Sequence, residues 1–391
     1  MTPFWRLGIS NMIFYLCSQF STIFINIYVF QQFHSLQVIG TYNAILYSTW
    51  ILAFTLGTKL CAKSIRINFA IAAVVGMLAV AVLLVISPGI LWLDLLVGGL
   101  VGVASGFYYV SYNAFLFALS NKGQRGHSIA RLSILTSIVS MMMPAVSGFL
   151  VQGAGFHVAF LVVIGLYLLL LMLSLRFTKE NVPAVSFRSV TRIPAGFGTF
   201  SGAIFATSVY SHFLPFAAGI LTFSFGSGIR GAGLLNTMYA LMALLSYLLI
   251  GYGIRSRADD PRQRYGWIGA VLATGGTTFL FGNSLSAMIA FNTIVSIANP
   301  LFFSLVNGQQ FDAVGRMYKN PIEGFLVREW LYTFARVGIF AYVGVFGLSQ
   351  GSTEFMILGV CLMIAPLAAV WLNRRIGRGA VRVTRATDAT L

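Results

Sequence analysis

Acidic residues are scarce in this chain: nine Asp and Glu in 391 residues, with only 9% of positions charged. A soluble domain of this length carries far more charge, so a soluble globular enzyme or binding module is excluded. Cysteine is equally sparse. Cys17, Cys61 and Cys361 show no CxxC or metal-ligand spacing, which excludes a disulfide framework and a structural zinc site and leaves three unpaired thiols. There is no Walker A segment, so ATP does not drive chemistry within this chain. No HExxH and no paired Cys and His arrangement marks a metal enzyme, and no cofactor is expected. A nucleophile with a nearby base is also missing, which makes a polytopic enzyme acting on lipids through His212 or Glu329 the weakest of the readings.

Apolar residues fill the space: 58% are hydrophobic and 14% aromatic, with a mean hydropathy of +0.85. The basic residues fall in alternate gaps between long apolar stretches. Arg6, then Lys59, Lys63 and Arg66, then Lys122, Arg125 and Arg131, begin the series. Arg176 to Arg192, Arg255 to Arg264, Arg316 with Lys319, and Arg374 to Arg385 complete it. Roughly 22 of the 25 lie on one side of a membrane by this segmentation, the positive-inside bias of an inner-membrane protein with both ends cytoplasmic. The net charge of +16 is thereby accounted for without nucleic acid, whose binding needs the bases gathered on one folded face.

Hydrocarbon about 30 Å thick requires about 20 helical residues. Apolar runs of that length number about twelve, starting near Leu7, Val38, Asn68, Ile90, Ala130, His157, Ala195, Ala232, Tyr265, Ser286, Gly324 and Glu354. The first, Leu7 to Phe30, is too long for a signal-peptide core and is read as a retained span. A basic, proline-containing interruption near the middle divides six spans from six. The expected organisation is a six-helix bundle over 1–175, a cytoplasmic linker over 176–194, a second bundle over 195–373 and a basic tail over 374–391. Gly98, Gly99, Gly102 and Gly106 lead into Tyr108 to Asn113, while Asn292, Asn299 and Pro300 lead into Asn307, Gln309 and Gln310, a weak internal echo between the halves.

This six-plus-six pattern, with its central linker and inside termini, resembles the major facilitator superfamily over residues 7–373. The segment from Gly57 to Arg66 keeps the glycine and bases of that family's loop between spans two and three, without its acid. Met143-Pro144-Ala145-Val146-Ser147-Gly148 keeps the proline and last glycine of a segment seen in family exporters. The resemblance implies an all-α integral membrane fold of two pseudo-symmetric bundles, alternating access, and a cavity lined by the first, fourth, seventh and tenth spans. On that ground Tyr108, Tyr112 and Asn113 in the fourth span and His212 in the seventh are candidate cavity residues.

The sharpest site comes from the residues themselves. Glu329, Tyr332 and Arg336 recur at i, i+3 and i+7 inside apolar sequence, hence on one helical face. Charges in hydrocarbon are costly and face a cavity or a partner. Two readings stand: Arg336 attracts an anionic group while Glu329 neutralises it or carries a proton, or the two form a fixed structural pair. Arg328 sits closer to the cytoplasmic end and reads as a gate or headgroup contact. Pro144 removes one helical hydrogen bond and bends a helix, either as a gate or as a packing kink. Asn11, Ser18 and Thr22 belong to a polar stripe with Tyr15 and Asn26 on the first span, lining a cavity or acting as interhelical glue. Asp94 reads as an exposed acid at a helix end.

The expected function is a secondary carrier of a small amphiphilic or anionic solute, exporting it in exchange for protons. The alternative is a lipid or lipid-linked-sugar flippase of the same architecture. The expected partners are the solute, membrane lipids and protons.

Overall fold

The computed structural model describes the chain except for residues 1–2, 86–88, 120–124, 178–184, 186–189, 191–192, 217–219, 221, 224–227, 254–260, 283, 350 and 389–391. Lys179, Glu180, Arg188 and Arg192 of the central interruption lie outside the described residues, as does the side chain of Thr22. All regular structure among the described residues is helical. In order the main helices are α1 (Pro3–Phe33), α2 (Leu36–Cys61), α3 (Ile65–Val85), α4 (Leu91–Leu119), α5 (Arg125–Ser174) and α6 (Phe197–Phe216). They continue with α7 (Gly228–Gly253), α8 (Pro261–Thr277), α9 (Leu285–Met317), α10 (Pro321–Phe346) and α11 (Thr353–Asp388).

Eight helical segments among the described residues are long and apolar enough to cross a membrane. Helices suit that solvent because every backbone donor finds its acceptor within the segment. α5 is interrupted at Gly155, whose φ of 80° and ψ of 168° are accessible to glycine alone, so residues 125–154 and 156–174 run as separate rods. α1 contains a π-helical stretch, Ser21–Ile25, and ends where His34 turns left-handed (φ 48°) with its N–H on the Phe30 carbonyl at 2.7 Å. Ser35 then opens α2, its hydroxyl accepting from the Val38 N–H at 3.4 Å.

The chain forms two compact units. The first comprises Met1–Ser186, Pro215–Ala240 and Val337–Leu348; the second comprises Phe187–Leu214, Leu241–Arg336 and Ser349–Leu391. In the first, the glycines of α4 let its backbone approach that of α2. A Cβ at Gly102 would collide with the Leu46 carbonyl, one at Gly106 with that of Trp50, and Thr49 Oγ1 donates to the Gly99 carbonyl at 2.9 Å. The Gly98, Gly102, Gly106 spacing is therefore a packing seam of the small-residue kind that drives helix association in lipid. α5 meets α7 in the same manner: a Cβ on Gly233 would lie 2.6 Å from the Pro144 carbonyl, and the Ala145 N–H donates to Thr237 Oγ1 at 3.0 Å. In the second unit, α8 and α9 close on each other through Gly266 and Gly269, the latter facing Phe302 and Ala298.

Candidate functional site

A cavity of about 340 Å³ lies within the second unit, lined by Ser211, His212, Tyr247, Phe303, Asn307, Arg328, Tyr332 and Arg336. α10 supplies the charge. The i, i+4, i+8 spacing puts Arg328, Tyr332 and Arg336 on one face, and Glu329 reaches Arg336 at 2.8 Å, carboxylate Oε1 to guanidinium NH1. These two side chains are 8% and 12% exposed, so the ion pair is shielded from water. Glu329 stands behind Arg336 and is not among the residues facing the cavity.

Tyr332 is the hub. The guanidinium carbons of Arg328 and Arg336 lie 4.5 Å and 5.4 Å from its ring centroid, within cation–π range. The His212 ring meets it edge-on at 5.8 Å. Its hydroxyl donates to Gln310 Oε1 and accepts from Arg328 NH2, both at 3.0 Å. Arg328 also donates through Nε to Gln310 Oε1 (3.2 Å) and through NH2 to Asn307 Oδ1 (2.9 Å). Gln310 in turn donates to Thr207 Oγ1 at 3.1 Å, which fixes the orientation of its amide. From α6, Ser208 Oγ donates to the Tyr332 carbonyl at 2.7 Å, tying α6 to α10. The same serine's carbonyl lies 3.1 Å from His212 Nδ1; a carbonyl only accepts, so Nδ1 carries the proton in that contact.

The structure thus gathers Arg336, Glu329, Tyr332, Arg328 and His212 into one network. Arg328, expected as a gate or headgroup contact, lines the cavity with Asn307 and Gln310 as partners. Asn307 and Gln310 were visible in the sequence only as part of an internal echo; their spacing of three residues on α9 was the signal for a shared face toward α10. Tyr247 and Phe303 gave no signal, being aromatic residues among many.

The remaining candidates lie in the first unit. Tyr108 is fully enclosed, stacked on Phe14 with centroids 3.7 Å apart and planes 4° from parallel, its hydroxyl 3.4 Å from Ser10 Oγ. Tyr112 is half-buried beside it at 6.3 Å, and Asn113 is half-buried on the next position. Asn11 is buried and Ser18 half-buried on α1. The stripe does not continue to Asn26: the π-helical stretch shifts the register, and Asn26 Oδ1 instead accepts from Asn43 Nδ2 of α2 at 3.0 Å. Asp94, expected to be exposed, is 6% exposed at the start of α4, because the helix end it occupies is packed rather than hydrated. Pro144 is buried at the α5–α7 crossing.

The described residues thus combine apolar helices with a charged cavity, and comparison with known proteins identifies the family. Residues 7–319 match the family model described as Major Facilitator Superfamily, and the chain belongs to that superfamily. It is 22% identical over 331 residues to a protein named "Uncharacterized protein YqgE" from Bacillus subtilis (strain 168), covering 81% of this chain and 76% of that protein. It is 31% identical over 152 residues to a protein from Geobacillus stearothermophilus named "Uncharacterized protein in sodM 3'region", covering 38% of this chain and 66% of that one. Among solved structures, a D-xylose-proton symporter superimposes with a TM-score of 0.72 at 14% identity, over 94% of this chain and 97% of the symporter. A POT family transporter in complex with 5-aminolevulinic acid gives 0.71 at 13% identity, over 96% of both chains. At these identities the likeness is one of fold.

Proposed function

We propose that the chain is a secondary transporter of a small anionic or amphiphilic solute, working by alternating access of two helical bundles across the cytoplasmic membrane, with proton-coupled export as its direction. The observation that carries this reading is a cavity lined, among the described residues, by two arginines and no carboxylate. Positive charge held among apolar helices is costly and is retained where an anion or a partner compensates it. Glu329 compensates Arg336 in the empty site and is the group best placed to exchange a proton. The retained Pro144 and Gly148 favour export, and a proton symporter among the structural neighbours makes proton coupling the first hypothesis to test. Asn11, Ser18, Thr22, Tyr112 and Asn113 are the first unit's candidates for contact with the solute.

The test is thermal stabilisation of the detergent-purified protein by a panel of anions, neutral sugars, lipids and hydrophobic compounds, since a bound ligand raises stability by mass action. Stabilisation by anions and not by neutral compounds supports the proposal. Stabilisation by lipid-linked or neutral compounds and not by anions overturns it and favours a flippase.

A further inference from the structure

The two arginines of the cavity are held in opposite ways, and this assigns them different work. Arg336 faces a carboxylate at 2.8 Å, so its charge is already balanced. The acceptors around Arg328 are all neutral: the amide oxygens of Gln310 and Asn307 and the phenol oxygen of Tyr332. These bonds fix the guanidinium without neutralising it. The rings of Phe311 and Tyr332 lie 4.9 Å and 4.5 Å from its guanidinium carbon, and its Nε and NH2 are engaged. NH1 takes no hydrogen bond from any described residue and belongs to a side chain that lines the cavity.

Charge bookkeeping gives the ligand. Arg328, Arg336 and Glu329 sum to a single positive charge, which one negative charge on the solute neutralises. With Nε and NH2 engaged, NH1 is the nitrogen that can donate a charge-assisted hydrogen bond to a carboxylate oxygen of the solute. Phe303, Tyr247, Tyr332 and His212 also line the cavity, and its volume of about 340 Å³ admits a small solute carrying a ring. We infer that Arg328 is the anchor for the solute's charged group, that the solute is a monocarboxylate with an apolar, ring-sized body, and that Arg336 and Glu329 act as a neutral pair beside it. This rests on the transporter reading given above and names the substrate class of the same site.

The experiment measures binding of benzoate to the full-length, detergent-purified protein by thermal shift and calorimetry, with benzamide and inorganic phosphate as comparison ligands. The variants are Arg328→Gln and the double substitution Glu329→Gln with Arg336→Gln, which removes one positive and one negative charge together. The expected result is benzoate binding in the wild type, none by benzamide or phosphate, a loss of at least about tenfold in affinity in Arg328→Gln, and affinity within about threefold of wild type in the double variant. Loss of benzoate binding in the double variant with retention in Arg328→Gln overturns the assignment of the anchor while leaving an anion carrier in place. Tighter binding of phosphate than benzoate overturns the monocarboxylate. No stabilisation by either anion in the wild type overturns the inference and the transporter reading on which it rests. Should Arg328→Gln fail to fold, the double variant decides alone, since the anchor assignment requires it to bind.

Discussion

The interiors of the two units are built from different chemistry. In the first, aromatic rings stack on one another: Phe14 on Tyr108, Trp50 on Tyr109 with centroids 5.1 Å apart, Phe69 on Phe177 at 4.9 Å. Its buried polar groups are mostly amides and hydroxyls closed on one another or on the backbone, as where Asn68 donates to the Gly57 carbonyl at 2.9 Å. In the second, two guanidiniums and a carboxylate are threaded through an amide network around a cavity. Among the described residues, close aromatic packing marks the first unit and a cavity with charge marks the second. The charged cavity draws its lining largely from α6, α9 and α10, while α2 and α4 meet along a glycine seam.

Substitutions can break that contrast at either end. The largest effect is expected from Arg336→Ala, which strands a buried Glu329; breaking a shielded ion pair costs about 3–5 kcal/mol, read as a fall in melting temperature of the purified protein. Adding Glu329→Gln in the same chain is expected to recover most of that loss, and failure to do so would mean that Arg336 stabilises through something other than its ion pair. Next comes Gly102→Ala on the α2–α4 seam, where the new methyl meets the Leu46 carbonyl and overpacking costs about 1–3 kcal/mol. Gly99→Ala is the internal control: its nearest neighbours are side-chain methyls at 3.7 Å, so a melt within about 0.5 kcal/mol of wild type is expected. Tyr332→Phe deletes the hydroxyl shared by Arg328 and Gln310 and should cost about 1 kcal/mol by the same melt, together with weaker benzoate binding. The smallest change is a gain. Gly165→Ala adds a methyl to α5 with nothing within 4 Å, and helix propensity raises stability by up to about 1 kcal/mol.

The all-helical membrane class was legible in the sequence because a bilayer constrains it so tightly: apolar run length reports membrane passage, and of about twelve expected spans the described residues show eight helices long and apolar enough to cross. Arg336, Glu329 and Tyr332 stood out for the same reason, since a charge is conspicuous in apolar surroundings and helical periodicity puts the three together. What could not be read was the registration between helices. Nothing in Asn307 or Gln310 says that their amide oxygens turn toward Arg328, and the depth assigned to Arg328 from sequence suggested a surface role. The polar stripe on α1 was drawn with a constant helical period, and a five-residue π-helical stretch sends Asn26 to α2 instead. The glycines at 98, 102 and 106 looked like part of a repeat and prove to be a seam, a distinction that depends on the neighbouring backbone.

The hydroxyl of Thr237 that receives the Ala145 amide also imposes an order on biogenesis. The two residues are 92 positions apart, so when the α5 segment leaves the ribosome and enters the bilayer, the acceptor for that amide has not yet been made. At a synthesis rate of about 5–20 residues per second, the α5 segment waits for several seconds beside lipid or the insertion machinery before Thr237 arrives. The contact that ties α5 to α7 in the finished protein is therefore closed only after synthesis has passed the middle of the chain.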